Sequence, residues 1–116
     1  MGPLTMKCFA MTVNLRDDPN VIRQYDQYHA NPWREVTEGL RRCGVQRLFI
    51  HRFERQLFLF METGDEFDLE RDMPRYMEHP RAREWDEMMQ QFQEPVPGAP
   101  PDATWVQMKR VFSFQA

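Results

Sequence analysis

The chain has 116 residues, 41% of them hydrophobic, and a formal net charge of −3. That length makes one domain over residues 1–116, with residues 1–6 as a loose N-terminal extension, large enough for a real core but leaving much surface in water. Acidic and basic residues alternate without a basic stripe, which excludes nucleic acid as a partner, and no apolar run approaches the length of a membrane span.

Lys7 to Asn14 alternate, with Phe9, Met11 and Val13 on one face and Cys8, Ala10 and Thr12 on the other, so the spacing predicts a first strand with little charge on either side. Asp17-Asp18-Pro19 supplies a helix start, acid before proline, and Val21, Ile22, Tyr25 and His29 then follow at helical period. Asn31-Pro32 reads as an N-cap followed by a proline at the first position of a second helix, with Trp33 in its first turn. That helix puts Trp33, Val36, Leu40 and Cys43 on one side, and Gly44 is placed to end it. Tyr25 and His29 lie four apart and share a helix face just before the turn. A histidine near a helix end, between a phenol and an indole, is a candidate acid/base group in a pocket for a small, flat or ring-shaped ligand. The same spacings also suit the amphipathic edges of two core-facing helices, and the local pattern leaves both readings open.

Val45 to Phe53 and Gln56 to Thr63 read as two strands joined by Glu54-Arg55, a hairpin by length though not by preferred turn residues. In the second strand Leu57, Leu59 and Met61 point one way and Phe58 and Phe60 the other, so both faces need cover. Helices of so small a chain cover one face. A homodimer packing sheet on sheet covers the other; a strand at the centre of a tightly curled single sheet is the alternative. Asp65 to Met77 reads as a helical connection interrupted by Pro74. Pro80 opens a further helix with Ala82, Trp85, Met88, Met89 and Phe92 on its buried side and Arg81, Arg83, Asp86 and Gln90 outside. Pro95, Pro97, Gly98, Pro100 and Pro101 forbid regular structure and make an irregular, stiff loop. Trp105 to Phe114 closes the chain as a last strand, with Val106, Met108, Arg110, Phe112 and Phe114 on one face. The order is a βαββαβ plan: an α+β fold whose antiparallel sheet carries helices on one face.

Cys8 and Cys43 fall on different elements without a CxxC spacing and read as reduced packing thiols. His29, His51 and His79 are scattered, and neither an HxxxH pair nor a phosphate-binding glycine loop occurs, so no metal and no cofactor is expected. The N-terminus lacks a charged-then-apolar leader, and Met6 stands where a myristoylation signal wants Ser or Thr; the expected location is the cytoplasm.

Several pieces in fixed order carry a family resemblance. The opening strand ends in asparagine (Phe9-Ala10-Met11-Thr12-Val13-Asn14) and is followed by Tyr25-x-x-x-His29-x-x-x-Trp33-x-Glu35. The Gly44 hairpin ends Phe58-Leu59-Phe60-Met61-Glu62, and Pro80-x-x-x-Glu84-Trp85-x-x-x-Met89-x-x-Phe92-Gln93 comes next. Pro97-Gly98-Ala99 and Trp105-Val106-x-Met108-x-Arg110-Val111-Phe112 complete the set. From Lys7 to about Phe114 the chain resembles the L-rhamnose mutarotase family, and its second half is closer still to the L-fucose-type branch. The resemblance implies ferredoxin-like subunits that pair as a dimeric α+β barrel, with a free monosaccharide as substrate. It matches His29 to the family's catalytic proton donor and Tyr25 to its sugar-contacting tyrosine. The rhamnose branch has two adjacent tryptophans where this chain has Glu84-Trp85, and a tyrosine where it has Leu48; both departures lean towards L-fucose or a related sugar. Trp33-Arg34-Glu35 stands where the family usually has Trp-Pro-Glu.

The residues suit that chemistry. Mutarotation protonates the ring oxygen as the anomeric hydroxyl loses its proton, opens the ring to the aldehyde, and recloses it on either face. With an unperturbed pKa of about 6.5, an imidazole can both give and take a proton near neutrality. Tyr25, Trp33 and Trp85 offer flat apolar rings to the C–H side of a sugar, although core packing also accounts for Trp85. Glu62, at the tip of its strand, is either solvated or directed at sugar hydroxyls. Glu84 is a hydroxyl acceptor or an exposed helix charge, and His51 a substrate contact or a satisfied structural histidine. Two other functions fit the same fold: a dimeric α+β barrel oxygenase, cofactor-free or haem-linked, and a non-catalytic small-ligand-binding module.

Overall fold

Strand β1 (Met6–Leu15) is the spine of the sheet. It pairs antiparallel along its length with β3 (Gln56–Gly64), from Met6 opposite Gly64 to Asn14 opposite Gln56. Strand β2 (Val45–Phe53) takes the far edge of β3. The computed structural model describes residues 6–116. The loose extension expected over residues 1–6 lies outside them except for Met6, which opens β1. Between the strands run α1 (Pro19–Ala30), α2 (Arg34–Cys43), α3 (Leu69–Asp72), a 3-10 segment (Met73–Glu78) and α4 (Pro80–Phe92). Two short strands, β4 (Gln93–Glu94) and β5 (Val106–Gln107), pair with β1 on its other edge, giving the order β2-β3-β1-β4 with β5 beside β4 on β1. This is the ferredoxin-like α+β arrangement, with all helices on one face.

Two-residue alternation decides which side chains meet the helices. In β3, Leu57, Leu59, Met61 and Thr63 are buried beneath them. Phe58, Phe60 and Glu62 point the other way, and through the register share that outer face with His51, Phe49 and Arg47 of β2. The core divides into two clusters, one around Val13, Leu15, Tyr25, Leu57 and Trp85, the other around Met11, Val45, Leu59, Met61 and Phe67. Trp105 packs against both.

Local chemistry sets most element ends. The Asp18 carboxylate accepts from the Asn20 amide at 2.8 Å and Pro19 fills the first turn of α1. Gly44 ends α2 in the left-handed region at φ 108°. Glu54 adopts φ 52° in the two-residue hairpin, a position that glycine or asparagine would take without strain. Arg55 then ties the hairpin down, donating to the Leu15 carbonyl at 3.1 Å and to Glu94 at 2.8 Å. Gly39 lets α2 lie directly on the 3-10 segment: a Cβ there would sit 2.7 Å from the Tyr76 carbonyl oxygen.

Two expectations are corrected. Asn31 does not cap the second helix but closes the first, its amide donating to the Tyr28 carbonyl, and α2 begins at Arg34 with Trp33 as N-cap. Proline biases the residue before it away from helix, so Asn31-Pro32 becomes a linker. The long last strand shrinks to Val106–Gln107 plus one further bond from the Met108 amide to the Ala10 carbonyl. Beyond that bond the chain leaves the β1 edge, and Val111, Phe112 and Phe114 are 77–88% exposed.

Candidate active site

The last two turns of α1 carry Tyr25 and His29 under the helix layer. Their rings stack at 4.1 Å with 27° between planes. The His29 Nδ1 lies 2.9 Å from the Tyr25 carbonyl oxygen, and since a carbonyl can only accept, Nδ1 carries the proton and Nε2 keeps a free lone pair. Trp85 of α4 meets the imidazole edge-on at 5.3 Å. Trp33 packs on Trp85 at 5.3 Å, and the Arg81 guanidinium covers the Trp33 ring at 3.8 Å. Burial pushes the His29 pKa below its ordinary value, against weaker upward pulls from the Tyr25 carbonyl and the Asp26 charge. The imidazole is therefore neutral at pH 7. Burial also pushes the Tyr25 phenol upward, opposed by a hydrogen bond with the Gln93 side chain, so the phenol stays protonated.

These residues line a cavity of about 480 Å³ between helices and sheet. Small-molecule sites typically measure about 300–1,000 Å³. Its floor is apolar, from Met11, Leu48, Ile50 and Leu59, and its walls include Tyr25, His29, Trp85 and Trp105. A smaller hollow of about 240 Å³ lies beside Tyr25 and His29, bounded by Ile50, Leu57, Asp26 and Arg52. Across it Arg52 grips the Asp26 carboxylate with two bonds of 2.9 and 2.5 Å, tying α1 to β2.

The sequence-predicted residues separate into two groups. Tyr25, His29 and Trp85 converge on the cavity, and Trp33 backs Trp85 from behind. His51 and Glu62 stand on the outer face of the sheet, His51 beside Phe58 at 6.3 Å and Glu62 opposite Arg47 at 3.9 Å. Odd and even positions of a strand cannot share a face, and β3 gives its odd positions to the helices. Glu84 lies at the surface of α4, paired with Arg81 at 2.9 Å. Leu48 lines the cavity, while Arg34 is exposed and paired with Glu38.

Sequence reasoning missed Tyr76, Asp86, Gln90 and Gln93. The Tyr76 hydroxyl donates to Asp86 at 2.5 Å, and the Gln90 amide donates to the other Asp86 oxygen at 2.7 Å. Asp86, expected on the solvent side of its helix, is half-buried in the cavity wall; Gln90 is exposed and sits at the rim. Gln93 is buried where α4 gives way to β4. One signal was readable: Trp85, Asp86, Met89, Gln90 and Gln93 form a continuous helical stripe, wider than an apolar-only one.

A one-sided antiparallel sheet with an apolar cavity, a single neutral imidazole and flat aromatic walls defines a pocket for a small ring-shaped molecule. A profile of the L-rhamnose mutarotase family matches residues 7–114. An L-fucose mutarotase of Xanthomonas campestris pv. campestris is 30% identical over 113 residues, covering 96% of this chain and 90% of that one. A UPF0734 protein of Dictyostelium discoideum is 34% identical over 101 residues, 86% of this chain and 81% of its own. Among solved structures, the L-rhamnose mutarotase of Formosa agariphila superposes with TM-score 0.65 at 18% identity, covering 94% of this chain and 99% of that one. The tetracenomycin F2 cyclase of Streptomyces glaucescens does so with TM-score 0.68 at 20% identity, over 95% and 98%. At such identities the two structures speak for the fold alone. The chain belongs to the L-rhamnose mutarotase family. It is accordingly an isomerase that interconverts the anomers of a sugar.

Proposed function

We propose that the chain binds a free 6-deoxy-L-sugar of the L-fucose type in the 480 Å³ cavity and that His29 carries the proton that opens and recloses its ring. The observation that supports this most is the bond from His29 Nδ1 to the Tyr25 carbonyl, which leaves Nε2 as a base on a residue lining the cavity. The anomeric oxygen and the ring oxygen are both bonded to C1, so one nitrogen can serve both. Nε2 takes the proton of the anomeric hydroxyl, that O–H pair forms the aldehyde C=O, and the C1–O5 bond breaks with its electrons on O5. The imidazolium then protonates O5. Rotation about C1–C2 presents the other carbonyl face, and the same steps in reverse close the opposite anomer. Tyr25, held protonated, donates a hydrogen bond to the sugar, and Trp85 offers a ring to its C–H side. Support for the fucose type comes from the Xanthomonas relative and from Leu48, which keeps that wall apolar.

His29→Asn keeps size and hydrogen bonding but does not titrate near neutrality. It should lower the catalysed anomer exchange rate of L-fucose, read by proton NMR, by about 10²-fold or more with an unchanged circular dichroism spectrum. A folded variant that exchanges at the parental rate would make His29 a packing residue.

The working unit in this reading is a cytoplasmic homodimer, sheet on sheet. Phe49, Phe53 and Phe58 are 36–79% exposed on the outer face, too much aromatic surface to leave in water. The free thiols Cys8 and Cys43 suit a reducing compartment. Light scattering at micromolar concentration should give twice the chain mass of 14.1 kDa; a monomer would refute the pairing.

A further inference from the structure

The cavity holds one charged side chain among the described residues that line it, and the proton chemistry above does not use it. That side chain is Asp86. It follows Trp85 on α4 but faces a different neighbour: Trp85 meets α1 through Tyr28 and His29, whereas Asp86 meets the 3-10 segment through Tyr76. The two consecutive side chains thus meet different elements while both line the cavity.

Its hydrogen bonding is half complete. Oδ1 accepts from the Tyr76 hydroxyl at 2.5 Å and Oδ2 from the Gln90 amide at 2.7 Å. An ionised carboxylate offers about four acceptor sites, so each oxygen retains one. Two adjacent carboxylate oxygens with one free site each match a pair of neighbouring hydroxyls on a sugar ring, and such charged acceptors are stronger and more directional than neutral ones. The other polar side chains of the wall, Thr37, Gln93 and Thr104, can donate as well as accept and so discriminate hydroxyl geometry less sharply. Burial pushes the Tyr76 phenol far upward, and the Asp86 charge adds to the shift, so Tyr76 remains a donor at any working pH.

We infer that Asp86, oriented by Tyr76 and Gln90, anchors two neighbouring sugar hydroxyls away from the anomeric carbon and so sets which sugar configurations the cavity accepts. The inference rests on the mutarotase reading and deepens it. Asp86 is a specificity-determining residue, and Tyr76 and Gln90 are positioning residues. Because those hydroxyls do not change during ring opening, their contacts bind ground state and transition state alike, and their loss appears in KM rather than kcat.

The test uses the full chain with L-fucose, L-galactose and L-rhamnose, measuring anomer exchange by NMR and sugar binding by tryptophan fluorescence. Asp86→Asn should raise KM for the preferred sugar by about 10- to 100-fold with kcat within about 3-fold, and shrink the discrimination among the three. Tyr76→Phe should raise KM less, as the carboxylate keeps its charge but loses its orientation. Unchanged KM and unchanged sugar ranking in both variants, with only a lowered melting temperature, would make the Tyr76–Asp86 bond a structural staple and overturn the inference. If Asp86→Asn does not fold, the Tyr76→Phe arm decides it alone. Binding that depends on Asp86 without anomer exchange would overturn the mutarotase reading and keep this one. A parent that neither binds nor exchanges any of the three would overturn both.

Discussion

The two faces of β3 have nearly the same apolar content and opposite fates. Leu57 and Met61 are fully buried under the helices, whereas Phe58, one residue along, is 36% exposed on the outer face. Hydrophobicity alone does not separate them. What separates them is that the helix layer covers a single side, and the side it covers is the one that can enclose a cavity, exclude water and shift a histidine's pKa. The outer side keeps its aromatics at the surface with His51 and Glu62 among them. The proposed chemistry uses the covered face, and the proposed dimer uses the bare one.

The largest test of that contrast is Leu57→Ala. Removing a fully buried side chain from the core beside Tyr25 and Trp85 should cost about 2–5 kcal/mol in chemical denaturation. Phe58→Glu, one position away, should change unfolding of the isolated chain by no more than about 1 kcal/mol while halving the mass seen by light scattering. Equal costs in the two variants would erase the distinction between faces. The smallest effect is in pH. His29 has a folded pKa below 6.5, so the unfolded chain takes up that proton first. Stability should therefore hold above pH 6.5 and fall as pH drops through the folded value, with a slope of at most about 1.4 kcal/mol per pH unit. Activity should fall over the same acid window as the free Nε2 lone pair is lost. A midpoint for kcat/KM above pH 6.5 would contradict the burial of the imidazole.

Sequence pattern revealed whatever depended on neighbours in the chain. The parity of β3, the Asp18-Pro19 helix start, the Gly44 stop and the Tyr25–His29 pairing all follow from local spacing, and β1, α1, β2 and β3 formed within a few residues of their expected spans. The closing strand did not form in full. Its alternation was sound, but a strand needs an edge, and after Met108 the chain leaves the β1 edge. The cavity's far wall was hidden for a related reason. Tyr76 and Asp86 are ten residues apart across the Pro80 helix start, and only the packing of the 3-10 segment on α4 brings them together. A polar residue on a helix looks solvent-facing until its partner is known.

Gly39 has an evolutionary corollary. Hydrogen is the only side chain that fits against the Tyr76 carbonyl, so this position has nowhere to drift. Any larger residue would push back the segment that carries Tyr76, and Tyr76 is the donor that orients Asp86. A change at this buried face of α2 would thus be felt first at the Tyr76–Asp86 bond.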